Sequence, residues 1–133
     1  MVIMRSLFIG LMVLALTGCG QNSAEKDHGL GDFIEVLKAE GVDGDLTMHG
    51  PLNDSMLYVA EYAISKFTST RIISIFKCKD EQAAEANLQD ALKNDRLSGQ
   101  ARNGRYLMAA TFYPAEEQAV GKIKQLFLKH KFE

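Results

Sequence analysis

The chain lacks an apolar run long enough to span a bilayer. The stretch from Leu7 to Leu16 is about half of the roughly 20 residues a transmembrane helix needs, and no stop-transfer pattern follows it. An excess of positive charge is also missing: the formal net charge is −2, which argues against a general nucleic-acid binder. The three histidines, His28, His49 and His130, have no second ligand two, three or four residues away, as a metal site needs. The serines lie in no nucleophile-elbow sequence, and no glycine-rich segment precedes a helix to cradle phosphate. No catalytic residue, metal or cofactor is therefore expected, and internal repeats and low-complexity stretches are absent.

What is present begins with a secretory layout. One cation, Arg5, precedes the apolar run, and Thr17-Gly18-Cys19-Gly20 supplies small residues after it. The four residues Leu16-Thr17-Gly18-Cys19 resemble the lipobox of bacterial lipoprotein precursors. That resemblance implies diacylglyceryl attachment to the Cys19 thiol, cleavage between Gly18 and Cys19, and a chain held at a membrane facing outside the cytoplasm. Two or more acyl chains give stable anchoring, at about 0.8 kcal/mol per buried CH₂. Gly20 stands where the family's inner-membrane retention signal would be Asp, so in a Gram-negative cell the resemblance favours the outer membrane.

The expected organisation is a removed signal (1–18), the lipidated cysteine and a polar, Gly-containing tether (19–29), and one domain (30–133). Of 15 Lys+Arg only Arg5 lies in the signal, leaving 14 against 17 acids. Nine acids and two bases fall between residues 19 and 61, so the remainder is net positive, an asymmetry best read as solvated surface. With Cys19 lipidated, Cys78 has no partner in the chain and packing must supply stability. At the end of Ile-Ile-Ser-Ile-Phe-Lys it reads as a small buried hydrophobe.

A first helix is expected to be capped by Asp32, with Glu35 completing a capping box, Phe33, Ile34 and Leu37 facing inward and Gly41 ending it. Leu46 to His49 reads as a short strand. Leu52 to Phe67 fits either a helical stripe or a strand, and the polar break before Ile72–Phe76 favours a strand from about Val59 to Phe67. Ile73 and Ile75 on one side and Ile72 and Phe76 on the other mark an interior strand. Asp80 caps a helix whose face is Ala84, Leu88, Ala91 and Leu92. Arg102-Asn103-Gly104-Arg105 reads as a type I′ hairpin turn centred on Asn-Gly. Pro114 opens a last helix with Val120, Ile123 and Phe127 buried.

The fold class expected is α+β: a mainly antiparallel sheet of about four to five strands with about three helices packed on one face, in two layers. The layout is similar to that of several small bacterial lipoproteins, without a distinctive motif. Asp43-Gly44-Asp45 faintly resembles a calcium loop but lacks the alternate ligands and distal glutamate, and reads as an acidic turn. The lysines of the last helix suit headgroup contact or a solvated face, the latter preferred. Arg102, Asn103, Gly104 and Arg105 are the candidate partner contact. The function expected is a noncatalytic, membrane-anchored module that binds another envelope protein. An envelope-polymer enzyme, an inhibitor of one, or a small-ligand binder are the alternatives.

Overall fold

The computed structural model describes residues 27–64 and 69–133. The expected leader, the lipobox-like residues with Gly18 and Cys19, most of the expected tether and residues 65–68 lie outside the described residues. Eight elements follow in the expected order. They are α1 (His28–Ala39), β1 (Gly44–His49), β2 (Met56–Ile64), β3 (Thr70–Cys78), α2 (Glu81–Leu92), β4 (Ser98–Asn103), β5 (Tyr106–Tyr113) and α3 (Glu117–Lys129). The strands form one sheet in the order β1-β2-β3-β5-β4, with every neighbouring pair antiparallel. This is the α+β layout that the sequence predicts.

The helices divide between the faces of the sheet. Tyr58, Ala60, Tyr62, Ile73, Ile75, Tyr106, Met108, Ala110 and Phe112 face one way. They bury Leu30, Phe33, Ile34 and Leu37 of α1 and Val120, Ile123 and Phe127 of α3. Val59 and Cys78, which alternate with those positions, meet Ala84 of α2 in a second, smaller cluster with Met56 and Phe76. α2 therefore covers the opposite face, and the molecule has a third, partial layer where packing on one face was expected. The cause lies in β3, whose apolar residues on both sides need cover on both sides. Each large side chain fully buried here contributes about 1.5–3 kcal/mol.

Several boundaries move. The cap of α1 is Asp27, whose carboxylate accepts from Leu30 N–H at 3.0 Å, so residues 27 to 29 belong to the domain and not to a tether. Asp32 is an exposed residue inside the helix. Gly29 lies under the C-terminal segment: a Cβ there would sit 2.0 Å from the Phe132 carbonyl oxygen, whereas one on Gly31 meets nothing. Gly29→Ala should cost about 1–3 kcal/mol by overpacking, while Gly31→Ala gains up to about 1 kcal/mol of helix propensity. Paired thermal melts with opposite signs are the expected result; equal shifts would contradict this packing.

β2 is a strand, as preferred, but starts at Met56. Asn103 is the last residue of β4, paired with Tyr106, so the hairpin turn is Gly104-Arg105, one residue later than expected, with Gly104 at φ 61°. Asn103 is held in the strand because its amide donates to the Phe127 and His130 carbonyls, closing the C-terminal end of α3. α3 begins at Glu117, three residues after Pro114. On α2, Leu92 is exposed, and Asn87 takes the inward position, donating to Ser55 Oγ and to the Ala83 carbonyl.

Candidate functional site

Among the described residues the most heavily bonded polar group is Asp27, 8 % exposed. Its carboxylate accepts from Tyr58 Oη at 2.6 Å, Tyr106 Oη at 3.2 Å and Lys77 Nζ at 3.1 Å, besides Leu30 N–H. The register explains the convergence: Tyr58 pairs with Lys77 across β2 and β3, and Lys77 pairs with Tyr106 across β3 and β5. Three neighbouring strand ends thus aim their polar tips at the first turn of α1. Burial acts to raise the Asp27 pKa, but donation from Tyr58, from Leu30 N–H and from Lys77 outweighs it and holds the carboxyl below its usual range. Burial and the adjacent Asp27 push Tyr58 and Tyr106 up, so both hydroxyls remain donors. Lys77 also lies 5.4 Å from the Tyr106 ring centroid, and Phe132 stacks on that ring at 4.3 Å. Every group here is satisfied and enclosed, which makes the network a fastening for the start of the domain.

The hairpin residues singled out in the sequence lie at this same end, since Arg105 adjoins Tyr106. They are engaged within the chain. Arg102 bonds Glu85 and the Gly104 carbonyl, and Arg105 forks onto Glu133 and reaches the Lys79 carbonyl. Asn103 caps α3. The arginine contacts are solvent-exposed pairs, and Gly104 at the tip is exposed.

At the other end of the strands is a cleft of about 360 Å³ between the C-terminal end of α1 and the first turns of α3. Val42, Ile64, Phe112 and Ile123 give it apolar walls, and Arg71, Lys122 and Asp43 give it charge. The Arg71 guanidinium forks onto Glu116 and lies 6.0 Å from the Phe112 ring centroid. Lys122 pairs with Glu40 at 3.4 Å, linking α3 to α1 on the exposed rim. The surface is concave, with apolar walls and a polar share of nearly half, and its volume falls in the lower part of the roughly 300–1,000 Å³ range of ligand sites. Sequence reading missed both places, because their members lie tens of residues apart and meet only through the register.

The remaining candidates are dispersed. His28 opens α1, His49 pairs with Glu61 at 2.9 Å, and the His130 ring bonds the Gly29 carbonyl at 3.0 Å. Among the described residues no group of three or more His, Cys, Asp and Glu is placed to hold a metal. Cys78 is fully buried, and its burial, partly offset by Asn87, pushes the thiol pKa up. Among the described residues no helix is long and apolar enough to cross a membrane. No protein-family model, curated protein or solved structure matches the chain.

Proposed function

We propose that the protein is a lipoprotein anchored through Cys19 outside the cytoplasm, and that its domain is a noncatalytic binding module that engages another envelope protein through the cleft beside Arg71 and Phe112. The supporting observation is polarity of position: Asp27, where the chain enters the fold, and the cleft sit at opposite ends of the strands. Seven residues separate Cys19 from Asp27, and the eight chain steps between them reach at most about 28 Å at 3.5 Å per residue. A tether that short keeps the domain beside the bilayer and leaves the cleft unobstructed. Its lining carries one carboxylate, Asp43, where a glycosidase-type pair needs two. In a Gram-negative cell Gly20 favours the outer membrane.

The cleft volume also favours a second reading, capture of a small amphipathic ligand in the same place. Two experiments separate these. Cys19→Ser should abolish lipidation and release the chain from the membrane fraction; a variant that stays membrane-bound, beside a mainly uncleaved wild type, overturns the anchor. A photo-crosslinking residue at Lys122, in intact cells, should capture a protein that the same residue at Arg102 does not. Capture at Arg102 alone contradicts the cleft, and capture at neither, with a small molecule extracted from the purified chain, supports the second reading.

A further inference from the structure

The two edges of the sheet are built differently. β4 is flanked by α2 and α3, and its pairing with β5 shifts register between Ser98 and Ala101, around Gly99 at φ 62°. A break of that kind, with helical cover, blunts an edge against further pairing. β1 has no such device. Its six residues, Gly-Asp-Leu-Thr-Met-His, pair with β2 without a shift, contain no proline or lysine, and alternate between half-buried and exposed. Among the described residues β2 is its only strand neighbour. An unprotected edge of this length is a template for another strand.

We propose that β1 is the seam of a symmetric dimer, paired antiparallel with β1 of a second copy about a two-fold axis at Thr47. A two-fold normal to the sheet sets one residue opposite its own copy, and the sequence suits Thr47. Leu46 then faces Met48 of the partner subunit, twice, on the side where both already pack against the main core. On the other side Asp45 faces His49 of the partner subunit, twice, and Thr47 faces Thr47 of the partner subunit. Apolar and threonine pairs are cross-strand combinations that stabilise a sheet, and an imidazole opposite a carboxylate can donate a hydrogen bond to it. Centring on Asp45 would oppose two carboxylates, and centring on Leu46 or Met48 shortens the pairing and takes His49 away from Asp45. His49 already contacts Glu61 of its own β2, so the second carboxylate reaches it from the open side. Isologous pairing about one such axis closes after two copies. It sends the two Asp27 ends in opposite directions along the strands.

The test uses the full chain, in cells and after detergent extraction. Thr47→Cys places two thiols about 4.5–5.5 Å apart at Cα, within disulfide reach, and should give a covalent dimer under mild oxidation that the wild type, with only Cys19 and Cys78, does not. Asp45→Cys alone should give none, whereas Asp45→Cys coexpressed with His49→Cys should. Adding Asp45→Lys to Thr47→Cys should remove most of the dimer, and adding His49→Asp as well should restore it. A Thr47→Cys chain that stays monomeric, or trapping indifferent to the charge reversal, overturns the proposal. Neither result depends on the cleft or on its partner.

Discussion

Replacing Asp27 by alanine is expected to destabilise the domain by about 3–5 kcal/mol, a fall in Tm of roughly 15 °C or more for a fold of this size. The loss is large because one carboxylate serves three elements beyond its own backbone. It caps α1, satisfies two buried phenols, and neutralises an ammonium whose side chain is only 17 % exposed. Removing it strands Lys77 beneath the Tyr106 ring. Lys77→Met should cost clearly less, because Asp27 keeps Tyr58, Tyr106 and Leu30 N–H as donors. Urea denaturation of both variants checks the order; an equal or larger loss for Lys77→Met would contradict the network.

The same carboxyl gives a pH signature. Its folded pKa lies below the unfolded value of about 3.9, so the folded state binds the proton less readily. The contribution is therefore complete above that unfolded value and disappears as pH falls through the lower folded one. Acid titration of stability should show a component present in the wild type and missing from Asp27→Ala.

Phe127→Ala is the second large effect, at about 3–5 kcal/mol. Phe127 is fully buried, meets Phe33 edge-on at a centroid distance of 5.9 Å, and tilts against Phe132 at 5.3 Å. Truncation opens a void between the Phe33 ring of α1 and the Phe132 ring of the C-terminal segment, so no single element can collapse to fill it. The expected companion is faster proteolysis of the C-terminal segment, since Phe132 loses one of its two phenylalanine walls. A melt within 1 °C of wild type would refute the packing.

How much of this could be read from residues alone depended on how local each signal was. The inward stripe Val120, Ile123, Phe127 and the Asp80 cap are spelled out within a turn or two, and both are as expected. β3 was legible as an interior strand, yet the consequence of its two apolar sides, that a helix must cover each, was not drawn from periodicity. The start of the domain was hidden because Asp27 sits in a polar, glycine-containing stretch with the composition of a linker. What requires glycine at position 29 is the Phe132 backbone against it, 103 residues later. The fastening and the cleft share this property: Asp27 with Lys77, and Val42 with Arg71, become neighbours only once strand register is set.

Asp27 has a mechanical consequence. Force applied along the chain ahead of it enters the fold at a side chain bonded to the ends of β2, β3 and β5 together, and these strands are laced to one another. Part of the load passes through that side chain to three strands in parallel, beside the path along the backbone of α1. For a domain pulled from this end, the first turn of α1 is held by the sheet as well as by its own backbone bonds.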